Sequence, residues 1–444
     1  MNLRDQFGLE QSTADAQAMR HFDRALSKLL TLNNDPVAEA DRALTFDPDF
    51  AMPQVIKGLA NVLGMDPSLH ADARQALAAA EFLSTGRAGA REGMHVEALR
   101  SCLDGRFTDA ATMWEGILVA WPHDALAMFA AHQADFLRGD SSELRDRVAR
   151  RLPKLDAGSP LRGYYEGMHA FGLEEMGDYT AAISSGIRAL ESDRRNAWAI
   201  HAVAHVYEMT CRLDEGENWL KGRVDDWDTD NFFAVHNWWH LALYALEHER
   251  WQEVLQLYDR RIRRTESKVV VDLLDASSLL WRLRLHDVDV GDRWARLAAL
   301  WEPHIDDAWY VFNDMHAAMA FIGAGEFAMA HHLIARLGET ALGSSANAAM
   351  TRSVGLPVCE ALLAYGEGSY AEAAARLLPV TSIAARAGGS NAQRDVIHLT
   401  LLAAASKAGQ YGLARALLDE RLASKPKSPL NLAWSDRVRA LKGH

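Results

Sequence analysis

A short turn signature recurs along this chain, and the recurrence limits its fold more than any other feature. Apolar stretches with helical spacing end at Gly105-Arg106-Phe107, Gly139-Asp140, Gly177-Asp178-Tyr179, Cys211-Arg212-Leu213, Glu249-Arg250-Trp251, Gly325-Glu326-Phe327, Gly366-Glu367-Gly368 and Gly409-Gln410-Tyr411. The interval is mostly 34 to 41 residues, the size of a helix–turn–helix unit that buries its apolar face against its neighbours. Between 250 and 325 the interval doubles, which predicts one irregular repeat turning after Trp281. Small residues follow several turns, as in Ala110-Ala111, Ala181-Ala182 and Ala373-Ala374-Ala375, and let a second helix lie close to the first. In the stretch 43–50, Asp47-Pro48 reads as a joint between hairpins, since proline cannot continue a helix. Val269-Val270-Val271 is the one β-branched run, and it reads as a helix start or linker.

A stack of repeats also suits the length. At 444 residues the chain is too long for one ordinary core, whereas each unit of a stack needs only its neighbours. Hydrophobic residues make up 49% and charged residues 24%, the balance of a folded chain. The formal net charge of −13 argues against broad binding to nucleic acid phosphates. Cys102, Cys211 and Cys359 lie far apart with no CxxC pair, so neither a zinc ribbon nor a disulfide framework is expected, and the cytoplasm is the expected compartment. The first residues lack the apolar run of a secretory signal, and no apolar stretch is long enough to span a membrane. Composition marks 64–71, 153–161, 264–271 and 383–393 as looser joints, with Ala387-Gly388-Gly389-Ser390-Asn391 the most flexible.

The period and the turn residues resemble the tetratricopeptide repeat. The expected fold is therefore all-α: a single helical-hairpin solenoid over 1–444, wound as a right-handed superhelix. Divergent hairpins fill 1–160, and 161–444 carries the candidate site. With each turn residue at position 15 of a 34-residue unit, the 3.6-residue period decides which residues face the inner groove. Ile200, Val203, Ala204 and Tyr207 then pack inside, and His201, His205 and Glu208 face the groove. In the next unit Trp238, Leu241, Ala242 and Ala245 pack, and His236 and His240 lie at or beside the groove.

Two successive inner helices thus each present histidines at i and i+4, on one face and about one turn apart. HExxH helices hold a metal with the same spacing, although HExxH is absent here. Two histidines with a carboxylate suit zinc, iron, manganese or nickel, and four histidines with carboxylates suit two ions. The alternatives are groove histidines used for hydrogen bonding, or a histidine ladder that holds repeats together. Further polar residues point the same way: Asp272, Asp275, Asn313, Asp314, His316, Arg394 and Asp395. N-capping is the competing explanation for Asp272, Asn313, Asp314 and Asp395, and an ordinary ion pair is the competing one for Arg394. Trp239 stands at a groove position and is a candidate pocket wall. No nucleophile elbow, Walker loop or GxGxxG occurs.

The phrases HAVAHVYEM, HNWWHLALYALE, VVDLLDASSLLWRL, FNDMHAAMA, RSVGLPVCEALL and GGSNAQRDV together resemble the tetratricopeptide repeat protein 38 family, over about 195–430. The resemblance implies the repeat fold and the same polar positions, and it carries no activity over. The expectation from the residues is a metal-dependent hydrolase acting on a small molecule in the groove. In it His201, His205, His236 and His240 hold a divalent transition metal (zinc, iron or manganese). Glu208, Asp275, Asp314 and His316 serve catalysis, and Arg394, Trp239 and Asn313 bind substrate. Its partners would be a small-molecule substrate, with no nucleic acid, no membrane and a possible second copy of the chain. Two other readings stand beside it: an adaptor that binds a partner segment in the groove, and a metal-free acid–base enzyme or iron-dependent oxygenase.

Overall fold

The computed structural model describes residues 2–441, and among these the regular elements are helices, with one isolated bridge between Arg4 and Glu10. The helices follow one another as hairpins of the tetratricopeptide type. From Ala90 onward the pairing is regular, beginning with Ala90–Leu103 and Phe107–Ala120 and ending with Asn391–Lys407 and Tyr411–Ser424. A last helix, Pro429–Leu441, follows.

Each hairpin turns the same way. The turn residue adopts a positive φ, between 69° and 86° at Gly105, Gly139, Gly177, Gly325, Gly368 and Gly409. The next backbone N–H then reaches back to a carbonyl in the last helical turn, as from Arg106 to Ser101 at 2.9 Å and from Glu326 to Phe321 at 2.8 Å. This closes the helix end and satisfies a carbonyl that would otherwise be left open. The doubled interval of the sequence contains one more such turn. It lies after Trp281, at Asp287 with φ 57°, with Val288 N–H on the Leu283 carbonyl at 3.1 Å. Aspartate stands there in place of glycine, so the signature was hidden. The irregularity of this repeat lies earlier, where Trp251–Leu257 widens into a π-helical turn over Tyr258–Ile262 before Val270–Leu285 begins.

The glycine-rich joint near 383–393 is more ordered than its composition predicts. A 3-10 turn covers Thr381–Ala387, and Ser390 forms a capping box with Gln393. Gly388 and Gly389 take φ of 83° and 72°, and a side chain at Gly389 would strike the Phe312 ring. Tight capping and ring contact, not chain freedom, explain these glycines.

The chain divides into two compact units. The first comprises Met1–Val203 with Arg223–Ala234, and the second Ala204–Gly222 with Val235–His444. In the first, Trp198 packs among Phe129, His132, Phe171 and Phe233, and its indole N–H donates to the Leu30 carbonyl at 3.3 Å. In the second, the Tyr244 hydroxyl donates to the Ala204 carbonyl at 2.7 Å, tying Ala234–Glu247 to the end of Ala197–Met209. Gly216 makes room for that tyrosine, because a Cβ there would sit 2.4 Å from the ring. Among the described residues no helix is long and apolar enough to cross a membrane.

Candidate functional site

The helical period sets the histidines on one face of each helix, and the packing of helices brings His205, His236 and His240 together in the second unit. His205 and His240 rings lie 4.4 Å apart between centroids, and His236 and His240 lie 4.8 Å apart, edge to face. A ring nitrogen of each of His205, His236 and His240 lies within 4.8 Å of the others. His205 and His240 are fully buried, and the His236 side chain is 14% exposed.

Carboxylates back two of these rings. Glu208 Oε2 lies 3.0 Å from His240 Nδ1. Both oxygens of Asp275 lie within hydrogen-bond reach of His236 Nδ1, at 3.0 and 2.9 Å. A carboxylate at Nδ1 fixes the tautomer with the proton there and leaves Nε2 as the basic nitrogen. Burial, then the neighbouring His205, His236 and Arg282, push the His240 pKa well below the usual histidine value, so its ring is neutral at neutral pH.

The other residues singled out from sequence fall in several places. His201 stands one turn before His205 on the same helix, and in the first unit its ring lies against Phe233 at 4.6 Å and Phe171 at 5.4 Å. Trp239 is fully buried, stacked on His236 at 5.1 Å and edge-on to His240 at 4.9 Å, so it packs the cluster. Arg282, which sequence reasoning passed over, lies over Trp239 at 5.4 Å and donates to the Ala392 carbonyl at 2.8 Å. Asp272 lies in the first turn of Val270–Leu285, whose N-cap is Val269. Its pKa is pushed up to about 6, chiefly by burial.

Asn313, Asp314 and His316 are buried on Val311–Ala324. Burial, with Asp307 nearby, pushes Asp314 up to about 8. His316 Nδ1 donates to the Phe312 carbonyl at 2.7 Å, and burial pushes its pKa down to about 4.

Arg394 holds the glycine joint. Its guanidinium donates to the Gly388 and Gly389 carbonyls and, at 2.8 Å, to Asn391 Oδ1. It also lines a cavity of about 360 Å³ in the second unit, with Asn391, His398, Arg421, Lys425 and Asn431. Asp395 and Glu420 line the same cavity. Arg421 forks onto Asp395 at 2.6 and 3.1 Å and donates to Asn431 Oδ1 at 2.8 Å. Burial works against the Lys425 charge, but Glu208, Asp395 and Glu247 outweigh it and hold the pKa above the usual lysine value. Lys425 Nζ lies 4.0 Å from Glu208 Oε1, the oxygen that does not face His240. Arg421 and Lys425 were missed in the sequence. Their i, i+4 spacing in the stretch 419–425 is the signal that marks them as neighbours on one helical face.

No family model matches the chain. Among solved structures it is similar to the human IFIT1 dimer with m7Gppp-AAAA, at 13% identity and a TM-score of 0.42, over 100% of this chain and 98% of that one. It is also similar to Naa15/Naa10 bound to HypK-THB, at 14% identity and a TM-score of 0.27, over 92% of this chain and 63% of that one. Those structures carry m7Gppp-AAAA and HypK-THB, so the expectation of a small-molecule substrate without nucleic acid finds no support in them. A net charge of −13 is a sum over every residue, whereas one cavity gathers Arg394, Arg421 and Lys425.

Proposed function

We propose that this chain is a tetratricopeptide-type adaptor, akin to the tetratricopeptide repeat protein 38 family, that takes up an acidic segment of a protein partner. One observation carries the reading: two arginines, a lysine and two asparagines line a single cavity of about 360 Å³. Lys, Arg and Asn are the residue types that clamp a carboxylate, the arginines through paired donors and the lysine as a point charge. The cavity is too small for a folded partner and large enough for a chain end or one acidic side chain. Internal acids already face Arg421 and Lys425, so an incoming carboxylate competes with them, and modest affinity is expected. Glu208 and Asp275 each lie on a histidine Nδ1, where a carboxylate orients the ring.

Binding of fluorescent Asp/Glu-rich peptides, with free and with amidated C-termini, tests the adaptor reading. A capped RNA oligonucleotide serves as the rival probe. The expected result is binding of an acidic peptide that weakens roughly tenfold or more in Lys425→Met, because a charge-assisted contact is lost. Equal binding by wild type and variant, or no peptide bound at all, overturns the proposal. RNA binding that depends on Lys425 would replace the protein partner with a nucleic acid.

A further inference from the structure

We propose that His205, His236 and His240 hold one divalent transition-metal ion of the zinc class. Glu208 and Asp275 act as positioning residues behind two of the ligands. The inference rests on the histidine cluster and not on the cationic cavity, so the two can fail separately.

Three features support it together. First, a ring nitrogen of each histidine lies within 4.8 Å of the others; nitrogens around one zinc ion sit roughly 3.3 Å apart, so side-chain shifts of about 1 Å close the set on an ion. Second, the two carboxylates sit on Nδ1 of His236 and of His240, at 2.9 and 3.0 Å, which is the arrangement that turns Nε2 toward a metal and raises its basicity. Third, Glu208 and Asp275 are both at most 5% exposed, so each carboxylate is held in place behind its ring.

Three imidazoles form a borderline-soft set that suits zinc, cobalt or iron and disfavours magnesium or calcium. Trp239, stacked on His236 and edge-on to His240, limits how far the two rings can turn.

The test uses untagged full-length protein, stripped with a chelator and titrated with Zn²⁺ and with Co²⁺, the second read by its visible absorption. About one equivalent of either ion should bind, with ligand-field bands of a low-coordinate nitrogen site. The ion should also raise the thermal midpoint, since it binds the folded state alone. His205→Ala/His240→Ala should lose the ion. Glu208→Gln and Asp275→Asn should keep the stoichiometry and weaken binding roughly 10- to 100-fold. Absence of binding by stripped wild type, or equal binding by the double histidine variant, overturns the site. Should the double variant lose its helical circular dichroism, Asp275→Asn decides instead: an affinity unchanged from wild type removes the proposed arrangement.

Discussion

Asp314 illustrates what a single buried group does to this protein. Burial and the nearby Asp307 push its pKa up to about 8 from the ordinary 3.8, so the folded chain keeps a proton that the unfolded chain releases. The resulting loss of stability grows as pH rises from about 4 toward 8. Asp314→Asn removes the titration at nearly constant volume. It should stabilise the protein by about 1–3 kcal/mol at pH 8, with the gain vanishing near pH 4. Urea melts at the two pH values measure this, and a gain that is larger at pH 4 would reverse the sign. The sequence leaves Asp314 open as an N-cap, whereas Tyr310 holds that position and Asp314 lies in the first turn of a helix buried on every side. For the histidines it went further. Spacing alone put His205 with Glu208 and His236 with His240 on shared faces. It could not show that Glu208 would back His240, since that contact depends on how two helices pack. Arg421 and Lys425 escaped notice because their role appears only when the helices Asn391–Lys407 and Tyr411–Ser424 close a common cavity.

At the level of the hairpin, the turn residues were the most legible part of the chain. The eight signatures coincide with left-handed turn residues, and the ninth, Asp287, was hidden only by its side chain. Three of the nine turns use residues other than glycine: Cys211, Glu249 and Asp287, with φ of 54°, 54° and 57°. An L-residue in this region costs about 1–2 kcal/mol, and glycine loses roughly half of that advantage through its freer unfolded chain. Cys211→Gly should therefore raise stability by about 0.5–1 kcal/mol, seen as a later urea midpoint. A loss instead would mean that the thiol, half-buried and with its pKa raised to about 11 chiefly by burial, contributes packing that outweighs the strain. Side-chain caps are less legible. Asp272 was a candidate cap, yet Val269 holds that position, because a cap depends on where the helix begins and helix starts are set by tertiary contacts.

At the scale of the whole molecule, the division of the chain into two units was not legible at all. Repeat periodicity is continuous across 197–209, and nothing in composition marks a break between Val203 and Ala204. The first unit also draws on Arg223–Ala234, a segment the sequence places far beyond it. That segment brings fully buried Trp227 and the Phe233 ring, which meets His201 at 4.6 Å and Trp198 at 5.6 Å. Phe232 N–H donates to the Leu32 carbonyl at 2.8 Å, and Asp230 accepts from Asn33 at 3.1 Å. The backbone therefore leaves the first unit, returns and leaves again, so a single cut cannot release either half intact. A fragment ending at Val203 should bind a hydrophobic dye and melt without cooperativity, and adding 223–234 as a separate peptide should partly restore a sharp melt. Proteases that nick one of these three crossings should accordingly leave parts of both units on one covalent chain, like a seam stitched three times.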